Sequence, residues 1–175
     1  GYRMLDTAVN YGNEAEVGQA VAASGLDRDA VQIVTKVPGR QHRSAEQCVE
    51  ESLRRLRTDH VDLVLIHWPN PSQGEYEYAW DGLVAARERG LTRSIGVSNF
   101  HPHHLDRIIS SVGVTPSVNQ VELHPYLQQA ALRVTDDLML RIAALLGTAI
   151  GAAVIRVNTV AHAGGRPHHV LSIAM

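Results

Sequence analysis

Residues 5–14 read LDTAVNYGNE, which sets Asp6 and Tyr11 five residues apart at the end of an apolar segment. The apolar residues before Asp6 predict a strand, and Asn10 and Gly12 are typical of a loop. The carboxylate and the phenol are therefore expected at the carboxyl end of that strand, where active sites lie in α/β folds. A phenol with an ordinary pKa of about 10 is a poor acid at neutral pH, so a proton-transfer role requires a nearby cation.

Two later segments supply further polar side chains at predicted strand ends. Residues 31–37 form a β-rich run that closes on Lys36, and residues 61–66 form another that is followed directly by His67. Each residue also has an ordinary explanation: Asp6 as a loop cap, Lys36 as a solvated strand end and His67 as a core histidine. Their occurrence at three successive strand ends favours a shared site.

Strand-like and helix-like segments alternate along the chain. Strands are predicted at 31–37, 61–66, 93–97 and 118–121, and helices at 14–23, 44–57, 76–89 and 103–111, with a further helix from residue 127. Asn13 is expected to cap the first helix, and Ser44 opens an S-x-x-Q capping box for the second. Strands separated by helices indicate parallel pairing, here about five to six βα units.

Composition narrows the function class. The chain has 175 residues, 45% of them apolar, and a formal net charge of −2, which is typical of one globular domain and argues against nucleic-acid or membrane binding. The single cysteine, Cys48, excludes an internal disulfide and is expected to be buried. No secretion signal opens the sequence, so a cytoplasmic location is expected, and the initial glycine suggests a fragment or a processed product.

Three histidines, His101, His103 and His104, lie close together in the sequence. No cysteine or carboxylate completes a recognisable ligand spacing, so we expect surface imidazoles at a helix entrance and no metal site. His168 and His169 fall in a final segment that has no clear predicted element.

Five signals in order resemble the aldo-keto reductase family. They are LDTAxxYGNE at 5–14, Thr35-Lys36, LIHWP at 65–69, GVSNF at 96–100 and NQVE at 119–122. The similarity is strongest to the bacterial branch that reduces small aldehydes and diketo sugars, and it extends from residue 1 to about residue 133. It implies a partial (β/α)8 TIM barrel that lacks the leading hairpin and first βα unit, because a complete barrel needs about 250 residues.

The resemblance implies an NADP-dependent oxidoreductase that reduces small carbonyl compounds. In this interpretation the catalytic residues are Asp6, Tyr11, Lys36 and His67; the cofactor-binding residues are Asp6, Ser98, Asn99 and Gln120; and the substrate contacts are Tyr11, His67 and Trp68. Tyr11 would be the general acid, Lys36 would stabilise the tyrosinate, and neutral His67 would orient the carbonyl oxygen. Ser98 and Asn99 have a second interpretation, as caps of the following helix. Trp68 could instead be an ordinary core or surface indole. A monomer is expected.

Residues 134–175 depart from the family pattern. The basic segment that the family uses to hold a phosphate, and the aromatic residue that stacks on nicotinamide, are not recognisable there. The apolar run at 142–155 has fourteen residues, fewer than the about 18 that a membrane span needs. A divergent helix or a change of reading frame would explain the tail. We favour the frame change because the local sequence pattern agrees with the family fold over about 130 residues and then abruptly ceases to do so. A truncated, inactive relative that acts as an interaction module is therefore the alternative to a reductase.

Overall fold

The computed structural model describes residues 2–122 and 126, together with the backbone of residues 155–160 and 168–174. The strands are β1 (Met4–Asp6), β2 (Gln32–Val37), β3 (Val61–Ile66), β4 (Thr92–Ser98), β5 (Val118–Glu122), β6 (Ile155–Val160) and β7 (His168–Ala174). The helices are α1 (Glu14–Ala23), α2 (Ala45–Leu56), α3 (Tyr76–Glu88) and α4 (Pro102–Val112), with 3-10 turns at Val9–Tyr11, Arg28–Ala30 and Gly39–Ser44.

The strands form one sheet in the order β1-β2-β3-β4-β5-β7-β6. The first five strands pair in parallel, each with the next along the chain. A helix separates each of these strands from the next, as parallel pairing requires. The carboxyl ends of five strands therefore lie along one edge of the sheet, which is the partial barrel that the sequence predicts.

The core lies between the sheet and the helices. Alternate residues of β2 and β3 meet apolar stripes of α2 and α3, where Val49, Leu53, Trp80 and Leu83 are buried. Trp80 is fully buried, and its indole N–H donates to the Val114 carbonyl at 3.3 Å. Burying side chains of this size contributes about 1.5–3 kcal/mol each. Residues of β2 are buried on both faces of the sheet, as is typical of parallel strands.

Helix α1 packs closely on the end of α2 at Gly18. A β-carbon added there would lie 2.3 Å from the Leu56 carbonyl oxygen, so the contact requires glycine. Gly18 has no counterpart among the sequence motifs, because its role depends on a residue, Leu56, that lies almost 40 positions later in the chain.

The predicted caps of α1 and α2 are confirmed in position, but the predicted capping hydrogen bonds are wrong. Asn13 and Ser44 stand at the N-cap positions, but neither side chain bonds to the helix backbone. Both residues have ψ near zero (16° and 35°) in place of the extended backbone that aims a capping oxygen at the first turn. Asn13 instead accepts a hydrogen bond from the Thr7 hydroxyl at 2.6 Å.

The final segment contains regular structure that the sequence did not predict. β6 begins at the last residue of the apolar run, and β7 begins at His168 and includes His169. The two strands pair antiparallel. β7 also pairs antiparallel with β5. The expectation that residues 158–175 hold no clear element is therefore wrong for these strands, while the helix predicted from residue 127 lies outside the described residues. In the described chain, none of the helices has the length and apolar character needed to cross a bilayer.

Candidate active site

The ends of β1 and β2 bring a carboxylate and an ammonium group together. Lys36 is 2% exposed and donates to Asp6 Oδ1, and it also donates to the Thr7 carbonyl at 3.1 Å. Asp6 is 14% exposed and accepts from Gln120 Nε2 at 2.7 Å through its other oxygen. A buried ammonium group is tolerated because it is paired and hydrogen-bonded.

Tyr11 is held beside this pair by a short turn. The 3-10 turn at Val9–Tyr11 ends at Gly12, whose φ of 67° lies in the left-handed region that glycine adopts readily. Lys36 Nζ lies 5.1 Å from the centre of the Tyr11 ring. The tyrosine side chain is 41% exposed, so it faces the open side of the site.

His67 follows β3 and meets Tyr11 edge to face. Their ring centroids are 5.7 Å apart at an interplanar angle of 85°. Burial, and after it the charge of Lys36, lower the pKa of His67 to about 4, against the opposing effect of Asp6. The imidazole is therefore uncharged at neutral pH. Its Nδ1 is buried and makes no hydrogen bond within the described residues.

The polar residues after β4 and β5 form a connected network. Ser98 Oγ donates to the Gln120 carbonyl at 2.8 Å, and Asn99 Nδ2 donates to Ser98 Oγ at 3.0 Å and to the His67 carbonyl at 3.1 Å. Asn99 has a φ of 63°, a left-handed conformation that asparagine tolerates better than most residues. The network ties the ends of β3, β4 and β5 together.

The capping interpretation of Ser98 and Asn99 is wrong, because His101 is the N-cap of α4. A nicotinamide carboxamide offers an NH₂ donor and an oxygen acceptor. The amide nitrogen of Asn99 is engaged by the protein and that of Gln120 bonds to Asp6, so the Asn99 carbonyl oxygen is the group best suited to accept from the carboxamide. The residues present thus fit the nicotinamide end of a cofactor.

Trp68 lies beside His67 and is 52% exposed. It is therefore not a core residue, and of the two ordinary interpretations, a core or a surface indole, only the second remains. Because it directly follows His67 in the chain and is exposed, it is available as an apolar wall of the site.

A buried network behind the site was not found from the sequence. Glu14 is 2% exposed and accepts from the Thr35 hydroxyl at 2.6 Å and from Arg55 Nε at 2.6 Å. It joins the start of α1, which follows Tyr11, to the strand that carries Lys36. Thr35 precedes Lys36 and points to the opposite face of β2, and this alternation is the signal that could have suggested a polar partner behind the sheet.

The three histidines near α4 are not all at the surface. His104 is buried, with its ring 5.5 Å from Tyr76 and 5.7 Å from Phe100, and its Nδ1 accepts from the His101 backbone N–H at 3.2 Å. The expectation of surface imidazoles is wrong for His104, which contributes to the helix start. Cys48 is buried as expected, and burial raises the pKa of its thiol to about 12.

The geometry agrees with comparisons to known proteins. The Aldo/keto reductase family matches residues 1–143, past the boundary at 133 that the motifs indicated. The chain is 59% identical over 139 residues to 2,5-diketo-D-gluconic acid reductase B of a Corynebacterium species, covering 78% of this chain and 50% of that protein. It is 51% identical over 132 residues to a methylglyoxal reductase of Yersinia pestis, covering 75% and 48%.

The fold comparison gives the same result. An aldo-keto reductase of Bombyx mori, crystallised in complex with NADP, superposes with a TM-score of 0.73 at 36% identity, covering 79% of this chain and 50% of that one. The chain thus spans about half the length of the relatives it matches. With a family match over most of its residues and identities above 50%, the chain belongs to the aldo/keto reductase family.

Proposed function

We propose that this chain carries the chemical site of an NADPH-dependent reductase of small aldehydes, ketones and diketo sugars. The observation that supports it most is the Asp6–Lys36 pair beside Tyr11, with neutral His67 edge-on to the same phenol. The names of the relatives, a diketogluconic acid reductase and a methylglyoxal reductase, support this substrate class. The whole protein is expected to be monomeric and cytoplasmic.

In the reducing direction, bound NADPH would supply a hydride to the carbonyl carbon. Tyr11 would give its phenolic proton to the carbonyl oxygen as charge develops there. Lys36 would stabilise the resulting tyrosinate, since a neighbouring opposite charge favours the ionised form. Asp6 would hold the Lys36 ammonium group in place, and this pairing is what makes so deeply buried a lysine tolerable.

His67 would orient the carbonyl oxygen. A neutral imidazole donates one ring N–H and adds no positive charge beside Lys36. Such a preorganised donor stabilises the oxygen where negative charge develops. Trp68 would cover the apolar part of the substrate and keep water from that side.

Asn99 and Gln120 would fix the face of the nicotinamide ring. The Asn99 oxygen would accept a hydrogen bond from the carboxamide. Ser98, which bonds to the Gln120 carbonyl, would hold the Asn99 side chain in place, and the Gln120 side chain would hold Asp6. Asp6 is included in this set because it bonds to Gln120 as well as to Lys36.

Cofactor binding can be tested by tryptophan fluorescence. Trp80 is fully buried, whereas Trp68 follows His67 and is half exposed, so bound NADPH should quench Trp68 more strongly than Trp80. Saturable quenching at micromolar NADPH would support the proposal, and the amplitude of the signal should fall in the Trp68→Phe variant. No response at millimolar NADPH would favour the alternative, a non-catalytic relative that serves as an interaction module.

Chemistry can be tested with the Tyr11→Phe variant, using methylglyoxal and 2,5-diketo-D-gluconate as substrates. Loss of a general acid should lower the rate of reduction by about 10²–10⁴-fold, with NADPH affinity unchanged. Unchanged turnover would refute the assignment of Tyr11.

A further inference from the structure

Glu14, the first residue of α1, holds a carboxylate almost entirely out of solvent, with 2% of its surface exposed. Both of its oxygens are engaged: Oε1 accepts from the Thr35 hydroxyl and Oε2 accepts from Arg55 Nε, each at 2.6 Å. Burying an ion pair costs free energy, and apolar residues of similar volume often stabilise a purely structural contact equally well. The carboxylate is therefore better explained by the geometry that it imposes than by stability.

The bond to Thr35 reaches the part of β2 that lies directly behind Lys36. Thr35 and Lys36 are consecutive residues of the strand, so their side chains point to opposite faces of the sheet. Lys36 meets Asp6 on one face, while Thr35, which is 1% exposed, meets Glu14 on the other. Glu14 therefore fixes the start of α1 against the strand at the position that carries the ammonium group.

Three hydrogen bonds form a closed circuit that links the ends of β1 and β2 to the start of α1. Lys36 Nζ donates to the Thr7 carbonyl at 3.1 Å, and the Thr7 hydroxyl donates to Asn13 Oδ1 at 2.6 Å. Asn13 directly precedes Glu14, whose bond to Thr35 returns the circuit to β2 beside Lys36. A closed circuit fixes the three segments more tightly than separate bonds would, because a shift at one contact distorts the other two.

Tyr11 is attached to this circuit by a very short connection. Gly12 and Asn13 alone separate it from Glu14. The Lys36 ammonium group, which belongs to the same circuit, lies 5.1 Å from the centre of the Tyr11 ring. The position of the phenol relative to the ammonium group is thus set by the contacts that hold the start of α1 on β2.

Arg55 anchors the other oxygen of the carboxylate from α2. Its side chain is 39% exposed, and its Nη2 also donates to Ser52 Oγ at 3.2 Å. With a donor on each oxygen, the Glu14 carboxylate has a defined orientation. A glutamine at this position would turn an NH₂ donor toward one of the two donors and would lose that bond.

We propose that Glu14 is a positioning residue that sets the separation between the Tyr11 phenol and the Lys36 ammonium group. This inference rests on the proposed function for the roles of Tyr11 and Lys36 in proton transfer, but their separation can be measured without cofactor or substrate. Glu14 acts through Thr35 and Asn13, from the face of β2 opposite Lys36.

The test uses nuclear magnetic resonance of the full chain without ligands. Lys36 is the only lysine in the sequence, so lysine isotope-labelled at Cε gives the signal of this one side chain. The ring current of Tyr11 shifts that signal, and the Tyr11→Leu variant gives its value without the ring. Glu14→Gln should lose most of this ring-current shift, because the phenol moves away from the ammonium group. A signal equal to that of the parent chain would overturn the proposal.

A second variant breaks the circuit without touching the carboxylate. Thr35→Val removes the hydroxyl, keeps the shape of the side chain and leaves the ion pair between Glu14 and Arg55 in place. The Lys36 signal should lose its ring-current shift here as well, and this variant decides the question if Glu14→Gln does not fold. A parent-like signal in Thr35→Val would overturn the proposal.

A matched control separates positioning from a general loss of stability. Asp62 also bonds to an arginine, Arg28, and to β2, through the Ile33 backbone N–H, both at 2.9 Å. It lies near the opposite ends of β2 and β3, so Asp62→Asn should lose stability and leave the Lys36 signal unchanged. An equal change of the signal in Asp62→Asn would show a response to general loosening and would overturn the proposal.

Turnover provides a separate measurement. Glu14→Gln should lower kcat for methylglyoxal by about 10–100-fold, because a displacement of about 1 Å at a reacting group has an effect of this size. The dissociation constant of NADPH should stay unchanged, since Glu14 lies behind the sheet. A parent chain that reduces no carbonyl compound, with a Lys36 signal that responds as expected in the variants, would refute the proposed function and would still support the positioning of Tyr11 by Glu14.

Discussion

Gln120 Nε2 lies 2.7 Å from Asp6 Oδ2, which joins the end of β5 to the end of β1 across 114 residues of sequence. In a flat sheet these strands would be four spacings apart, about 19 Å, and two short side chains could not meet. The hydrogen bond therefore requires the five parallel strands to curl around a common interior. Asp6 thus bonds to Lys36 through one carboxylate oxygen and to Gln120 through the other.

Replacing Gln120 should test this link. Gln120→Leu removes a donor to a carboxylate and should lower the free energy of unfolding by about 1.5–3 kcal/mol. Gln120→Glu should cost more at pH 7 than at pH 4.5, because two facing carboxylates repel when both are ionised. Urea denaturation at the two pH values measures both effects. A Gln120→Glu penalty that is independent of pH would mean that the two side chains do not face each other in solution.

Lys36 and Asp6 should behave as a coupled pair. Lys36→Met leaves the Asp6 carboxylate without its cation at a largely buried position, and should destabilise the chain by about 3–5 kcal/mol. The double variant Asp6→Asn/Lys36→Met should be more stable than Lys36→Met alone, since the unpaired charge is gone. A double-mutant cycle by urea denaturation gives the coupling, and purely additive losses would contradict it.

Gly18 should resist a change that normally stabilises helices. Alanine is favoured over glycine by about 1 kcal/mol within a helix. Gly18→Ala should nevertheless lose about 1–3 kcal/mol, because its methyl group would collide with the Leu56 backbone. The control is Ala20→Gly on the exposed face of α1, which should lose only the propensity difference. Thermal unfolding of both variants measures the contrast, and a more stable Gly18→Ala would show that α1 and α2 do not pack this closely.

The convergence of the site residues could be predicted from the sequence because it follows from local patterns. Lys36 closes an apolar run and His67 directly follows one, and parallel strands bring their carboxyl ends to one edge. The predicted strand at 31–37 and helix at 76–89 differ by a single residue from β2 and α3. Hydrophobic periodicity is sufficient for such elements because each buries one continuous face.

The remaining features depend on partners distant in sequence. Glu14 looks like an ordinary acidic residue in a first helical turn, yet its partners Thr35 and Arg55 lie 21 and 41 residues away. Neither periodicity nor propensity carries that information. The caps at Asn13 and Ser44 failed for a related reason: residue type favours a cap, but the preceding turn fixes the backbone angle that permits it.

The charge state of His67 gives a prediction whose sign can be worked out. Its pKa is lowered to about 4 by burial and by Lys36, against the opposing effect of Asp6. In the unfolded chain the ring has an ordinary pKa of about 6.5. Between about pH 6.5 and pH 4 the unfolded state binds a proton that the folded state does not, so His67 lowers the free energy of unfolding as the pH falls through this range.

Burial also lowers the pKa of His42 and His104, so the pH dependence of stability does not report on His67 alone. Nuclear magnetic resonance can follow the His67 ring by itself. The His67 ring signal, assigned by its loss in His67→Gln, should not titrate until about pH 4. Lys36→Met should move its midpoint upward, since the cation that opposes protonation is gone while Asp6 remains. Titration near pH 6.5 in the parent chain would mean that His67 is solvated and free to become charged. It would then repel Lys36 and lose the neutral donor role that the proposed reduction requires.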